Sequence, residues 1–262
     1  MELTVDGKAV FAATGGRPFD PGPRAVIFLH GAGMDHTVWA LQTRYFAHHG
    51  RPVLAPDLPG HGRSEGPALA SIAGIAGWLG RLLDAAGIEV AALAGHSMGA
   101  LAALESAAGR KGRIRALALL GVAGEMPVHP DLLAAAQADD HLAFELMTSW
   151  AHGTTGHLGG NRAPGLWILG GGQRLLERSA PGVLHDDLAA CNAYGGAAEA
   201  AAKATCPCLL VLGAEDRMTP AKAGRRLAEA ISGARVVVIP GCGHMMMLEK
   251  PDETLDALKT VL

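Results

Sequence analysis

A single serine, Ser97, lies in the stretch Gly95-His96-Ser97-Met98-Gly99, where the apolar run EVAALA ends and an amphipathic run begins. A serine between glycines at a strand-to-helix turn is held in a sharp, strained bend that exposes its hydroxyl at the carboxyl end of a sheet. A helix N-cap would also explain a serine at this point, but the full pattern in this context favours a nucleophile. We therefore interpret Ser97 as a candidate nucleophile for attack on a carbonyl carbon.

Two further residues could activate this serine. A serine hydroxyl is a weak nucleophile at neutral pH, so it needs a general base and an acid that orients the base. His244 is the candidate base, because it follows the strand-like run VVVIPGCG on a loop that can reach the same edge of the sheet. Asp216 ends the preceding run CPCLLVLGAE and would hold the imidazole tautomer, and Glu125 is the alternative acid. The sequence thus predicts a Ser97, Asp216, His244 triad.

Backbone amides near the serine would have to stabilise the negative charge that develops on the attacked carbonyl oxygen. The small residues of HGAG, residues 30–33, follow the strand-like run AVIFL and allow a ligand to approach the backbone closely. We expect the amides of Ala32 and Met98 to form this oxyanion hole. The stretch is a weak candidate for phosphate binding, because it has neither the P-loop lysine nor the spacing of a dinucleotide-binding motif.

The remaining metal-ligating residue types do not form a known ligand pattern. His152 and His157 lie in the Gly-rich stretch HGTTGH, without the helical i,i+4 spacing or the carboxylate that zinc sites of this kind use. The four cysteines lack the spacing of a zinc knuckle or a disulfide framework, and we interpret them as buried free thiols: Cys191, Cys206, Cys208 and Cys242. We predict that the chain needs no metal and no organic cofactor.

Short, nearly continuous apolar runs alternate with longer amphipathic stretches, a rhythm typical of parallel strands buried on both faces and covered by helices. The strand-like runs before the chain midpoint are residues 24–31, 51–60, 89–97 and 113–121, and the helix-like stretches are 37–48, 71–86 and 98–109. The same rhythm returns from residue 206 onward. Asp6-Gly7 between two alternating runs predicts an antiparallel hairpin at the start. The predicted fold class is therefore α/β.

Between residues 124 and 203 this rhythm breaks into helical pieces joined by Gly-rich segments. We predict a helical layer, 124–203, inserted into one core domain that is formed by residues 1–123 and 204–262. Large apolar side chains of this layer and of the segment after His244 could line a substrate pocket, although ordinary packing explains each of them as well. The candidate pocket residues are Met126, Leu142, Met147, Trp150, Trp167 and Met245.

The composition restricts the classes of partner. The 262 residues carry a formal net charge of −3, with 49% hydrophobic and 18% charged residues, a balance typical of a globular protein. No basic stripe suits nucleic acid, and no apolar run is long enough to span a membrane. The N-terminal stretch lacks the pattern of a secretory signal, so we expect a cytoplasmic protein. We expect a small-molecule substrate and a monomer or homodimer.

Four motifs in this order resemble the α/β-hydrolase superfamily: HGAGMDHTVW (30–39), DLPGHGRS (57–64), GHSMG (95–99), and GAED with GCGH (213–216 and 241–244). The resemblance covers nearly the whole chain. It implies an eight-stranded, mostly parallel sheet with a helical cap inserted after the sixth strand, and it implies that Ala32 and Met98 supply the oxyanion hole. Haloalkane dehalogenases and epoxide hydrolases of this fold use an aspartate where this chain has Ser97.

The activity expected from the residues and the resemblance is hydrolysis of a small, largely apolar carboxylic ester through an acyl-enzyme. Carbon–carbon hydrolases of this fold are similar in triad and cap, but MDHTVW departs from the pattern before their tryptophan. The alternatives are a lactonase, a carbon–carbon bond hydrolase, a thioesterase or a perhydrolase with the same triad. A receptor that binds a small molecule without turnover is the alternative of a different class.

Overall fold

The computed structural model describes residues 1–160 and 167–262. Its described part contains an eight-stranded sheet with the strand order β1-β2-β4-β3-β5-β6-β7-β8. The strands are β1 Glu2–Val5, β2 Lys8–Ala13, β3 Ala25–Leu29, β4 Val53–Pro56, β5 Ala91–His96, β6 Ile114–Leu120, β7 Cys208–Gly213 and β8 Arg235–Ile239. Neighbouring strands from β4 to β8 are parallel, and β1 and β2 add an antiparallel edge. The predicted eight-stranded, mostly parallel sheet is confirmed.

The N-terminal hairpin forms where its turn residues predict it. Val5 pairs with Lys8, so the loop contains only Asp6 and Gly7. Both loop residues have positive φ, +53° and +77°, as a tight turn that follows the twist of the strands requires. The hairpin places β2 beside β4 at the edge of the sheet.

Helices lie on both faces of the sheet. The helices of the described chain are α1 Ala40–His48, α2 Ile72–Ala85, α3 Met98–Gly109, α4 Pro130–Gln137, α5 Leu142–Ala151, α6 Thr154–His157, α7 Ile168–Glu177, α8 Val183–Ala193, α9 Ala197–Lys203, α10 Ala221–Glu229, α11 Met246–Glu249 and α12 Pro251–Leu258. A 3₁₀ helix, His36–Trp39, precedes α1. None of the helices in this part of the chain is both long and apolar enough to cross a bilayer.

Alternation along the strands divides the core into two layers. Ile27 and Leu93 face a cluster that contains residues of α2, α3, α9 and α10. Their neighbours Val26 and Ala92 face a second cluster, which is covered by α1, α11 and α12. Burial on both faces explains why these strands are apolar throughout rather than alternating.

Helices α4 to α9 follow β6 and precede β7. Helices α4, α5, α7 and α8 form a separate small cluster that also contains Ala32 from the loop after β3. Helix α9 differs, because its alanines pack against α3 in the main core. The inserted stretch thus contributes to the separate small cluster and to the main core, and most of it lies beside the loop where the sequence predicts the oxyanion hole.

Candidate active site

Ser97 occupies the sharp turn between β5 and α3. Its backbone has φ +53° and ψ −117°, a conformation that is strained for a residue with a side chain. A Cβ atom on Gly95 would collide with the carbonyl oxygen of Gly99, and a Cβ on Gly99 would lie 2.5 Å from the carbonyl oxygen of His30. The two glycines therefore allow the turn to pack against the strand and loop beside it. The Ser97 side chain lines a cavity at the carboxyl end of the sheet.

His244 and Asp216 form a buried hydrogen-bonded pair beside this cavity. His244 Nδ1 donates to Asp216 Oδ2 over 2.8 Å. Burial opposes ionisation of Asp216, but the interaction with His244 and the hydrogen bonds from Thr219 outweigh it, so the pKa of Asp216 lies below its usual value. An ionised Asp216 fixes the tautomer of His244 with Nε2 free to accept a proton. Glu125, the alternative acid, has an exposed side chain and is not the hydrogen-bond partner of His244.

Thr219 completes the environment of this carboxylate and was not predicted. Its hydroxyl donates to Asp216 Oδ2 over 2.9 Å, and its amide donates to Asp216 Oδ1 over 2.8 Å. The hydroxyl also lies 3.2 Å from His244 Nδ1. The spacing D-x-x-T is a common turn pattern, in which the aspartate accepts from the amide of a following residue, and this pattern could have identified Thr219.

The loop that carries His244 is held on three sides. The His244 carbonyl oxygen accepts from His96 Nε2 over 3.0 Å, and its amide donates to the carbonyl oxygen of Ala151 over 2.7 Å. The carboxylate of the buried Glu249 accepts from the Gly243 amide over 3.0 Å. Burial lowers the pKa of His96 well below its usual value, so this ring is a neutral donor. The position of His244 therefore depends on β5, on the end of α5 and on α11.

The amides of Ala32 and Met98 are available for an oxyanion. Ala32 lines the same cavity as Ser97, and Met98 directly follows Ser97 in the first turn of α3, where backbone amides have no partner inside the helix. Within residues 1–160 and 167–262, neither amide donates a hydrogen bond to another protein group. Two unpaired amide donors near a serine hydroxyl can stabilise negative charge on a carbonyl oxygen.

Asp187 on α8 connects the inserted helices to two loops of the core. Its Oδ2 atom accepts from the Gly33 amide over 2.8 Å and contacts His61 Nε2 at 2.7 Å. Both side chains of this pair are fully buried. Burial disfavours protonation of His61, but the charge and hydrogen bond of Asp187 outweigh it and raise the pKa of His61 above its usual value. Asp187 thus holds the loop that carries Ala32.

The cavity beside Ser97 and His244 has a volume of about 610 Å³. Three of the predicted pocket residues line it: Met126, Met147 and Trp150. Leu132 and Leu188 extend its apolar wall, whereas Arg217 and His129 contribute polar groups. The cavity is therefore largely apolar and suits a ligand of small-molecule size.

The other predicted pocket residues lie elsewhere. Trp167 and Met245 line a second cavity of about 420 Å³, which adjoins the first because Met34 and Met147 belong to the walls of both. Leu142, in contrast, is 44% exposed and lines neither cavity, so its predicted place in the pocket is corrected. The reason is that α5 turns Met147 inward and its first residue toward solvent.

The histidines of HGTTGH and the carboxylates around His36 make hydrogen bonds to protein groups. His152 Nδ1 donates to the Thr148 carbonyl oxygen, and His157 Nε2 pairs with the Ser149 carbonyl oxygen, so the two histidines of HGTTGH do not converge. Asp35, His36 and Asp57 have ligand atoms within 4.8 Å of one another. The carboxylates of this cluster accept hydrogen bonds from the amides of Thr37, His36 and Arg63.

Comparisons with known proteins agree with this architecture. Residues 26–257 match the family model described as the alpha/beta hydrolase family. The chain is 28% identical over 254 residues to a pimeloyl-[acyl-carrier protein] methyl ester esterase of Aromatoleum aromaticum, covering 90% of this chain and 97% of that protein. The enol-lactonase from Burkholderia xenovorans has the same fold, with a TM-score of 0.88 at 23% identity over 99% of this chain and 98% of that chain.

A shorter similarity links the chain to a larger protein. It is 39% identical over 123 residues to the dihydrolipoyllysine-residue acetyltransferase component of the acetoin cleaving system of Cupriavidus necator. This alignment covers 46% of the chain and only 31% of that protein. The family model, in contrast, spans strands β3 to β8 together with the inserted helices. This chain is a member of the alpha/beta hydrolase family.

Proposed function

We propose that this hydrolase cleaves a small, largely apolar carboxylic ester through an acyl-enzyme formed on Ser97. The observation that carries the proposal is the convergence on one cavity of a strained serine and a histidine whose Nδ1 is bound to an ionised aspartate. Such an arrangement lets the histidine accept the proton of the serine hydroxyl during attack on a carbonyl carbon. Strain at the serine keeps the hydroxyl directed into the cavity.

In the first half of the reaction, Ser97 Oγ attacks the ester carbonyl carbon while His244 Nε2 takes its proton. The negative charge that forms on the carbonyl oxygen is stabilised by the amides of Ala32 and Met98. His244 then gives its proton to the leaving alkoxide, and the acyl group remains on Ser97. In the second half, His244 activates a water molecule that releases the acid, and Asp216 stays ionised throughout.

The walls of the cavity support an apolar substrate. Methionine, leucine and tryptophan side chains of the inserted stretch line the same cavity as Ser97, which supports a role of the inserted helices as a cap over the site. The related Aromatoleum protein is a methyl ester esterase, which favours an ester bond over other acyl bonds. Methionine side chains adapt to irregular ligand shapes. The preferred acyl chain is therefore set by the cap.

The experiment is a parallel assay of p-nitrophenyl esters of increasing acyl length, lactones and acyl thioesters, with the unchanged chain and with Ser97→Ala. The variant should lose about 10³-fold or more in turnover. Ser106→Ala is the matched control, because Ser106 is buried in α3 and does not line the cavity. A fluorophosphonate probe should label the unchanged chain and the control but not Ser97→Ala.

Several results would contradict the proposal. Equal ester hydrolysis by Ser97→Ala and the unchanged chain would exclude Ser97 as the nucleophile. Faster turnover of lactones or thioesters than of any ester would replace the ester assignment by one of these substrate classes. A ligand-induced rise in melting temperature, with neither labelling nor turnover, would indicate a receptor.

A further inference from the structure

A short joint between two of the inserted helices lies against the loop that carries His244. This α5–α6 joint comprises residues 151–154, and the His244 loop comprises residues 240–245, between β8 and α11. The carbonyl oxygen of Ala151 accepts from the amide of His244 over 2.7 Å and from the amide of Met245 over 3.2 Å. The backbone of the inserted stretch thus contacts the residue that we interpret as the general base.

Glu249 on α11 connects the same two segments through its carboxylate. Its Oε2 atom accepts from the amide of Gly153 in the joint over 2.8 Å. Its Oε1 atom accepts from the amides of Gly243 and Met245, over 3.0 and 3.2 Å, on either side of His244. Glu249 is only 8% exposed, and hydrogen bonds shielded from water are electrostatically stronger than bonds at the surface. One carboxylate therefore holds the backbone on both sides of His244 and an amide of the inserted stretch.

Two glycines allow the joint and the loop to approach this closely. A Cβ atom on Gly243 would lie 2.4 Å from the amide nitrogen of Gly153 and 2.8 Å from the carbonyl oxygen of Ala151. A Cβ atom on Gly153 would lie 3.0 Å from the amide nitrogen of Gly243. The first approach is too close for any side chain, and the second would force the two segments apart by a few tenths of an ångström.

Gly153 and Glu249 do not face a bound substrate. Neither residue lines the cavity beside Ser97, and neither lines the second cavity. A replacement at either position therefore changes no side chain of the cavity walls. Its effect on turnover passes through the backbone of the His244 loop.

Part of this arrangement is also explained by a helix cap. Met245 directly precedes α11, and the bond from its amide to Glu249 resembles the return bond of a capping box. The bonds from the amides of Gly153 and Gly243 lie outside α11 and contribute nothing to such a cap. These two bonds distinguish a connection between segments from the end of a helix.

We propose that Glu249 is a positioning residue that couples the inserted helices to the general base. Its carboxylate holds the His244 loop against the α5–α6 joint, so the position of His244 relative to Ser97 depends on α5 and α6 as well as on the sheet. The role of His244 as the base rests on the proposed function, whereas the hydrogen-bonded connection does not. A catalytic group that is misplaced by 1 Å can lose about 100-fold in rate.

Glu249→Gln tests the carboxylate. Glutamine keeps the size of the side chain but turns a donor toward one of the backbone amides. The kcat for p-nitrophenyl acetate should fall about 30-fold while KM changes by less than about twofold, and fluorophosphonate labelling of Ser97 should slow by a similar factor. Glu65→Gln is the matched control, because Glu65 also accepts from a backbone amide, that of Ala9 over 2.7 Å, on the antiparallel part of the sheet.

Gly153→Ala tests the contribution of the inserted stretch. The kcat should fall about 10-fold with KM again changed by less than about twofold. Gly195→Ala is the matched control, because Gly195 lies between α8 and α9 and an added Cβ there meets no atom of the described chain within 4 Å. In the double variant the losses from Gly153→Ala and Glu249→Gln should not multiply, because each replacement disrupts the same connection. Losses that multiply would overturn the coupling.

A second readout needs no turnover. The proton on His244 Nδ1, observed by NMR in a chain labelled with ¹⁵N-histidine, reports the hydrogen bond to Asp216. Its resonance should shift in Glu249→Gln and in Gly153→Ala and should stay unchanged in both controls. Each variant is measured separately, so one of them still tests the proposal when the other fails to fold.

The outcomes separate this proposal from the proposed function. Unchanged kcat in Glu249→Gln and Gly153→Ala, with only a lower melting temperature, would overturn the proposal and leave Glu249 as a cap of α11. If the unchanged chain neither hydrolyses an ester nor reacts with the fluorophosphonate, the proposed function fails. The His244 resonance then decides the coupling alone, and an unchanged resonance in both variants would overturn it.

Discussion

Replacement of Asp187 by asparagine tests the connection between the inserted helices and the core loops. The Asp187 carboxylate oxygen Oδ2 accepts from the Gly33 amide and contacts His61, and the pair with His61 is buried on both sides. Asparagine keeps the size of the side chain but removes the negative charge and half of its acceptor capacity. Removing one partner of a buried, charge-assisted pair leaves the other without compensation. We expect Asp187→Asn to lower the free energy of unfolding by about 3 kcal/mol.

The pH dependence of this loss identifies its cause. Burial opposes protonation of His61, but the charge and hydrogen bond of Asp187, the hydrogen bond to the Pro59 carbonyl oxygen and the charge of Asp57 outweigh it, so the pKa of His61 is raised above its usual value. A group whose pKa is higher in the folded state contributes stability that is complete below its unfolded pKa and is lost as the pH rises through the folded pKa. The difference in stability between the unchanged chain and Asp187→Asn should therefore be larger at pH 6 than at pH 9.

The assay is urea unfolding of both chains at the two pH values, followed by circular dichroism. Taking the difference between the chains cancels the titration of the other histidines. Asp186→Asn is the control, because Asp186 lies beside Asp187 on α8 with a 53% exposed side chain. Because Asp187 holds the loop of Ala32 through Gly33, the Asp187 variant should also lose kcat by up to about 100-fold with a smaller change in KM. A stability loss that is equal at pH 6 and pH 9 would refute the assigned ion pair.

Two further predictions concern the triad and the buried histidines. Asp216→Asn should lower ester turnover by about 10⁴-fold, with an unchanged circular dichroism spectrum. Glu125→Gln should retain full activity. The reverse pattern would make Glu125 the acid that orients His244. Burial, followed by repulsion from His61, lowers the pKa of His30 to about 4, so its contribution to stability is present above pH 6.5 and is lost as the pH falls toward 4. The free energy of unfolding, measured with urea, should fall by about 2 kcal/mol between pH 6.5 and pH 5 because of this group. His30→Gln removes the titration and should make the pH dependence of the free energy of unfolding smaller by that amount. An identical pH dependence in both chains would contradict this reasoning.

Features that depend on local backbone geometry and periodicity could be predicted from the amino-acid sequence. The Asp6-Gly7 turn produced the predicted hairpin, because positive φ at both positions suits few other residue pairs. Short apolar runs predicted the parallel strands, since burial on both faces requires them. The position of Ser97, Asp216 and His244 after strands predicts that they meet, because the carboxyl ends of parallel strands lie at one edge of a sheet.

Contacts between distant parts of the chain could not be predicted in this way, because they depend on how the helices dock. His61 and Asp187 are 126 residues apart, and their pairing depends on how α8 docks on the core, which no local pattern encodes. The same holds for Glu249 beneath the His244 loop and for the exposure of Leu142, which follows from the rotation of α5. Helix docking depends on the packing of many side chains at once, so no single sequence motif predicts it.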